Sequence, residues 1–219
     1  MAAGLSSRMV ENKLLLPWRD GGAIVRHVAL KYVDASIGQI VVVTGRDASR
    51  VRAVLADLNV TCVHNPDYET GEILSSVKVG LRALPDDLGL RRHKPVAAAF
   101  IQPADMPCVP KEVIGQLAAA HEAGWNVAPR YEGRRGHPVL LDRAYWEAML
   151  ALAADGMPRD VIQAERERLR LVDVEDEGVL VDVDTREGYE RVFESTGFTD
   201  RSDKQTDTIC CTAKRHRQA

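Results

Sequence analysis

Short apolar runs alternate with amphipathic segments along this chain, and the alternation restricts the fold more than any other feature. Short runs rich in β-branched residues predict strands, whereas apolar residues three or four positions apart predict helices. The predicted strands cover residues 39–44, 60–63, 96–101, 126–129, 138–141, 169–174 and 179–183. The predicted helices cover residues 22–33, 48–58, 71–84, 111–123, 142–153, 159–168 and 186–194. This order favours a three-layer α/β fold, with residues 96–101 buried on both faces of a mixed, mostly parallel sheet.

Composition excludes several function classes. A chain of 219 residues is long enough for one core, and its formal net charge of −3 argues against non-specific nucleic-acid binding. No apolar run approaches the roughly 20 residues that span a bilayer, and no signal peptide is recognisable, so we expect a cytoplasmic protein without a membrane partner. The four cysteines, at positions 62, 108, 210 and 211, have no metal-site spacing and are expected to be unpaired thiols.

A small-residue loop with two positive charges opens the chain, with the sequence A-A-G-L-S-S-R-M directly after the first methionine. Gly4 permits a tight turn, and small residues such as Ala3 and Ser6 let backbone N–H groups approach a polyphosphate. Arg8, in the loop, and Lys13, just beyond it, can neutralise phosphate charge. The loop therefore predicts a triphosphate site, with Ala3, Gly4 and Ser6 binding nucleotide and Arg8 and Lys13 acting in catalysis.

The order A-A-G-x-S-x-R-M followed by K-x-L-L resembles the signature loop of the nucleotidyltransferases that act on molybdenum cofactor. That family includes cytidylyltransferases and guanylyltransferases, and the resemblance implies a Rossmann-like fold of the nucleotide-diphospho-sugar transferase type. It predicts an NTP transferase domain over residues 1–198, followed by a disordered polar tail over residues 199–219. Family members usually have Gly after R-M, where this chain has Val10. They also have an apolar first strand before the loop, which we expect to lie in roughly 5 to 10 residues upstream of Met1.

A carboxylate follows the apolar run 96–101, in the sequence Q-P-A-D-M-P. Ligands of α/β sheets bind beyond the carboxyl ends of strands, so Asp105 is a candidate metal ligand. This stretch resembles the family's metal-binding D-x-P segment, and V-D-V-D-T-R-E at residues 181–187 resembles its D-I-D-T-x-E-D segment. The resemblance implies Mg²⁺ held by Asp105 and Asp184. Asp182 remains the alternative to Asp184, because alternation places both on one side of a strand.

Two further segments resemble family motifs that contact substrates. G-R-R-G-H-P-V, at residues 133–139, resembles a segment in which Gly136 and His137 line the pocket for the second substrate. G-E-I-L-S-S-V-K-V-G, at residues 71–80, resembles a segment that meets the nucleotide base, which makes Ser75 and Ser76 candidate base contacts. We expect His137 to orient the acceptor rather than to act as a base, because a phosphate nucleophile needs little deprotonation.

These segments together predict a nucleotidyltransferase that transfers an NMP group from an NTP to a phosphorylated small acceptor and releases pyrophosphate. The resemblance favours CTP over GTP as donor and molybdopterin or molybdenum cofactor as acceptor, and it implies a molybdoenzyme or its chaperone as a protein partner. Two alternatives remain. One is a sugar-phosphate or alcohol-phosphate nucleotidyltransferase of the same fold, and the other is a non-catalytic nucleotide-binding protein.

Overall fold

The computed structural model describes residues 12–19, 22–70, 72–84 and 96–195. The predicted phosphate-binding residues Ala3, Gly4, Ser6 and Arg8, and the predicted tail, lie outside these ranges. None of the helices in the described part is both long enough and apolar enough to cross a bilayer.

Two sheets form in the described part, one with two strands and one with five. The strands are β1 (Val41–Thr44), β2 (Thr61–His64), β3 (Ala98–Ile101), β4 (Asn126–Tyr131), β5 (Arg134–Arg135), β6 (Val139–Asp142) and β7 (Leu169–Asp173). β1 pairs with β2 in parallel. The larger sheet has the order β3-β6-β4-β5 with antiparallel neighbours, and β7 pairs with β4 in parallel. The predicted α/β class with a mixed sheet is confirmed.

Helices cover the strands and carry the apolar side chains of the core. They are α1 (Ile24–Asp34), α2 (Ala48–Val54), α3 (Glu72–Ala83), α4 (Lys111–Ala119), α5 (Trp146–Ala151), α6 (Pro158–Ala164) and α7 (Arg186–Ser195). α1 packs in one core cluster with Val42 of β1, while α3 packs in another with Ala99 and Ile101 of β3. α4 packs in a third cluster with Ala98 and Phe100, on the other face of β3. Helices therefore lie on both faces of the strands.

Four sequence predictions are wrong in detail. Asp142 ends β6 and caps a short 3₁₀ helix by accepting a hydrogen bond from Ala144 N, so the helix predicted from residue 142 begins only at α5. The helix predicted over residues 159–168 ends with α6, and a 3₁₀ turn follows it. The strand predicted over 179–183 is replaced by a 3₁₀ turn, Glu177–Leu180, and extended chain. β3 is only partly buried, because one of its edges borders a groove.

Candidate active site

The amino end of the described chain joins the segments that follow β1 and β3. Asn12 accepts a hydrogen bond from Leu14 N at 3.1 Å, which caps the short 3₁₀ helix that begins at Lys13. The same side chain donates to Asp47 Oδ2 at 3.2 Å, just beyond β1. Its neighbour Lys13 reaches Asp105, just beyond β3. Asn12 thus fixes the position of Lys13, a role that the sequence analysis missed.

Lys13 lies between two predicted metal ligands. Its Nζ donates to Asp105 Oδ2 at 2.6 Å and to Asp184 Oδ1 at 2.8 Å. The side chain of Lys13 is 12% exposed, that of Asp105 is 21% exposed and that of Asp184 is 46% exposed. Three candidate residues from distant parts of the sequence therefore meet at one point that solvent can reach.

Backbone contacts bring the late acidic segment to the Asp105 loop. Val183 is buried and its N–H donates to the carbonyl oxygen of Asp105 at 2.8 Å, while Asp182 and Asp184 on either side are exposed. Gly178 lies against the Cys108 carbonyl so closely that a Cβ atom would overlap it. The role of Gly178 could not be predicted from the sequence, because it depends on the carbonyl of Cys108, which is distant in the chain.

The charges of the site influence one another. Desolvation lowers the pKa of Lys13, but the hydrogen bonds and charges of Asp105 and Asp184 outweigh it and raise that pKa above the ordinary value. Lys13 is therefore an ammonium ion at neutral pH. Burial, together with the negative charges of Asp184 and Asp105, raises the pKa of Asp182. An added cation would stabilise the ionised form of all three carboxylates.

The two carboxylates fit a divalent cation that is shared with a triphosphate. Asp105 Oδ1 is buried without a hydrogen-bond partner, and Asp105 and Asp184 already converge on one positive group, the Lys13 ammonium. Among the residues the structure describes, no group of three or more His, Cys, Asp or Glu side chains could hold a metal ion by itself. Mg²⁺ is commonly held by one or two carboxylates plus substrate phosphates and water, which matches this donor set.

A cavity of about 380 Å³ opens beside Asp105. It is lined by Ile73, Pro103, Asp105, Met106, Arg134, Arg135, Gly136, His137, Val179, Leu180 and Asp182. The structure thus places the predicted acceptor residues Gly136 and His137 beside the predicted metal ligand Asp105. It also adds Arg134 and Arg135, which the sequence analysis quoted but gave no role.

Gly136 and His137 are fixed by the 3₁₀ turn behind them. A Cβ atom on Gly136 would lie 2.5 Å from the carbonyl oxygen of Val179, so only glycine fits without a shift. His137 N donates to the same oxygen at 2.8 Å. Burial lowers the pKa of His137. The imidazole is therefore neutral at neutral pH, and its Nδ1 is a buried polar atom without a partner in the described part of the chain.

The two predicted base contacts lie on α3 and share one partner. Buried Asn65, directly after β2, donates from Nδ2 to Ser75 Oγ at 2.8 Å and to Ser76 Oγ at 3.0 Å. Ser76 is 4% exposed, whereas Ser75 is partly exposed. Contact with a nucleotide base stays a prediction. The structure shows that Asn65, which the sequence did not single out, holds both serines in place.

Comparison with known proteins places the chain among nucleotidyltransferases. The model of the MobA-like NTP transferase domain matches residues 1–170. The molybdenum cofactor cytidylyltransferase of Escherichia coli (strain K12) is 27% identical over 190 residues, which cover 86% of this chain and 90% of that protein.

Solved structures share the fold. The crystal structure of Rv0371c from Mycobacterium tuberculosis H37Rv has a TM-score of 0.72 and 26% identity, covering 88% of this chain and 95% of that one. A complex of Rv0371c with manganese has a TM-score of 0.66 and 24% identity, covering 84% of this chain and 92% of that one. Because the family model matches most of the chain, this protein belongs to the MobA-like NTP transferase domain family and is a nucleotidyltransferase.

Proposed function

We propose that this protein transfers the CMP group of CTP to the phosphate of molybdopterin or of its molybdenum form, with release of pyrophosphate. The observation that carries the proposal is the contact of Lys13 with both Asp105 and Asp184, which brings a cation and two carboxylates to one point. The choice of donor and acceptor is supported by the E. coli relative, a molybdenum cofactor cytidylyltransferase.

In the proposed reaction, an oxygen of the acceptor phosphate attacks the α-phosphorus of CTP. A new P–O bond forms as the bond between the α-phosphorus and the bridging oxygen of pyrophosphate breaks, and pyrophosphate leaves with that electron pair. No proton need be removed from a phosphate that is already ionised. Positioning and charge stabilisation are therefore the main tasks of the protein.

The described residues can perform both tasks. Lys13 is a partly buried cation that can neutralise charge on the triphosphate, and Asn12 fixes its position. Asp105 and Asp184 would hold Mg²⁺, which would supply positive charge to offset the negative charge of the phosphates. The manganese complex of the M. tuberculosis protein supports a divalent ion in this fold.

The cavity beside Asp105 suits an anionic acceptor. Arg134 and Arg135 supply positive charge on an exposed strand, and His137, which also lines the cavity, is neutral. Guanidinium groups bind phosphate oxygens through paired hydrogen bonds. In the proposed complex the acceptor phosphate enters from this side and faces the triphosphate at Lys13.

The test is a matrix of donors and acceptors followed by pyrophosphate release. Each of the four NTPs is incubated with Mg²⁺ and with molybdopterin, its molybdenum form, a sugar phosphate or an alcohol phosphate. Fastest release with CTP and a molybdopterin acceptor supports the proposal. Preference for GTP would overturn the donor, preference for a sugar or alcohol phosphate would overturn the acceptor, and no release with any pair would overturn the activity.

A further inference from the structure

The loop that carries Asp105 lacks three of its own backbone donors. This loop, which we call the Asp105 loop, covers residues 102–110 between β3 and α4 and has proline at positions 103, 107 and 110. A proline nitrogen cannot donate a hydrogen bond. The loop is instead held through its carbonyl groups. The carbonyl oxygens that accept hydrogen bonds from Val183 N or from side chains are those of Asp105, Met106, Pro107 and Val109.

Lys31, in the last turn of α1, joins two of these carbonyl groups. Its Nζ donates to the carbonyl oxygens of Pro107 and of Val109, the latter at 2.6 Å. Val109 is fully buried, and burial lowers the pKa of Lys31 to about 8, so the side chain is still mostly an ammonium ion at neutral pH. Hydrogen bonds from a charged donor are stronger than those from a neutral one. Lys31 therefore fixes the turn that follows Asp105.

Tyr32, the next residue of α1, holds the start of the loop through Gln102. The hydroxyl group of Tyr32 donates to Gln102 Oε1 at 2.6 Å, and Gln102 Nε2 donates to the carbonyl oxygen of Met106 at 3.1 Å. Tyr32 and Gln102 are both buried, and burial raises the pKa of Tyr32, so its hydroxyl group stays protonated and remains a donor. Because Gln102 and Met106 lie on either side of Asp105, these two hydrogen bonds close the loop across its base.

α1 is a firm support for these contacts because the core fixes it. Ala29 lies in the same core cluster as Val42 of β1, whereas Val28 and Tyr32 pack in another cluster with Ile114 of α4. α4 begins at the end of the Asp105 loop. α1 therefore contacts both the loop and the helix that follows it, and the position of the loop depends on the position of α1.

We propose that Lys31 and Tyr32 are positioning residues for nucleotidyl transfer, which hold the Asp105 loop so that the Asp105 carboxylate stays directed toward Lys13 and the metal-binding point. The inference rests on the proposed role of Asp105 as a metal ligand. Lys31 and Tyr32 are not among the residues that line the cavity beside Asp105, so they act through the loop. A displacement of about 1 Å at a reacting group can cost about 100-fold in rate, so a loop held on both sides of Asp105 favours turnover.

The first test measures pyrophosphate release and its Mg²⁺ dependence in three lysine variants. Lys31→Met removes the donors to the loop, and Lys31→Arg keeps a cation with several donors. Lys78→Met is the matched control, because Lys78 on α3 also donates to a backbone carbonyl, that of Leu152, in a different core cluster. Lys31→Met should lower kcat about tenfold and raise the Mg²⁺ concentration for half-maximal rate about tenfold, with KM for the NTP unchanged. Lys31→Arg should recover most of kcat, and Lys78→Met should match the wild type.

Hydrogen exchange at Val183 gives a readout that needs neither metal nor substrate. Its N–H donates to the carbonyl oxygen of Asp105 at 2.8 Å, so the exchange rate of this amide reports on the position of the loop. In Lys31→Met the Val183 amide should exchange about tenfold faster than in the wild type, whereas that of buried Val127 in β4 should change little. A general loss of stability would instead accelerate the exchange of both amides.

Tyr32→Phe tests the second contact and also decides the case in which Lys31→Met does not fold. It keeps the ring against Phe100 and removes only the hydroxyl group that holds Gln102. The kcat should fall, and exchange at Val183 should accelerate, each by about fivefold, the effect of losing one neutral hydrogen bond.

Three results would overturn the inference alone. They are a folded Lys31→Met or Tyr32→Phe variant with wild-type kcat, equal losses of kcat in Lys31→Met and Lys78→Met, and a loss of kcat without faster exchange at Val183. Asp105→Asn separates the inference from the proposed function. Wild-type activity of Asp105→Asn would overturn the metal site and the inference with it, whereas a loss that only Asp105→Asn shows would overturn the inference and leave the metal site.

Discussion

At the scale of single residues, the position of Lys13 predicts competition with a metal ion. Its ammonium contacts both Asp105 and Asp184, so replacing it by methionine should tighten Mn²⁺ binding in the absence of nucleotide. Turnover should fall by about 100-fold or more, because phosphate charge is no longer neutralised. EPR titration with Mn²⁺ and pyrophosphate release measure the two effects. Lys111→Met, on the exposed side of α4, is the control, and weaker Mn²⁺ binding by Lys13→Met would contradict the account.

Gly136 gives a prediction about stability. A Cβ atom there would lie 2.5 Å from Val179 O, so Gly136→Ala should lower the free energy of unfolding by about 1–3 kcal/mol. Gly115→Ala on α4 is the matched control, because a Cβ at Gly115 meets no atom within 4 Å. The control should be neutral or stabilising. Urea unfolding distinguishes the two variants, and an unchanged midpoint for Gly136→Ala would show that the turn can move.

At the scale of elements, the two serines of α3 are expected to have different roles, one in packing and one in binding. Ser76 is buried against Asn65, so Ser76→Ala should cost about 1 kcal/mol of stability and leave KM for the nucleotide unchanged. Ser75 is partly exposed and is the predicted base contact. Ser75→Ala should therefore raise KM for the nucleotide with little loss of stability. Thermal unfolding and steady-state kinetics test both variants. An unchanged KM in Ser75→Ala would contradict the predicted base contact.

The link between α1 and the Asp105 loop predicts a pH dependence. Lys31 on α1 donates to the carbonyl oxygens of Pro107 and of Val109, the latter at 2.6 Å. Burial lowers the pKa of Lys31 from 10.5 to about 8. The unfolded chain therefore binds more protons than the folded chain between these pH values, so stability rises with pH across that range.

The difference between the wild type and Lys31→Met isolates this effect. The urea midpoint of the wild type should rise relative to that of Lys31→Met as the pH increases from about 8 to about 10. Other titrating groups contribute similarly to both proteins and largely cancel. A difference that stays constant over this range would show that Lys31 does not lose its proton there.

At the scale of the whole molecule, the sequence predicted the elements better than their junctions. Strand β3 and Asp105 were found because an apolar run ends just before a polar loop. The contact of Lys13 with Asp105 joins residues 92 positions apart and could be expected only from a family resemblance. Asn12, Asn65 and Gly178 were missed, since each acts through a partner that only the folded chain brings near.

The strand wrongly predicted over residues 179–183 has a similar physical cause. Its apolar side chains fit the strand pattern, but Gly178 must approach the Cys108 carbonyl and Val179 O must accept from His137 N. These contacts favour a 3₁₀ turn over sheet pairing. Val183 is nevertheless buried between exposed Asp182 and Asp184, so the predicted side-chain alternation is confirmed.

Metal-dependent pyrophosphate release by three single variants tests the central claim most directly. With the best NTP and acceptor and with Mg²⁺, Asp105→Asn and Asp184→Asn should each lose about 100-fold or more in rate while the fold is retained, because each removes charge that holds the cation. Asp182→Asn, one residue from buried Val183, should keep most of the activity. Near-full activity of Asp105→Asn, or loss confined to Asp182→Asn, would contradict this assignment of the site.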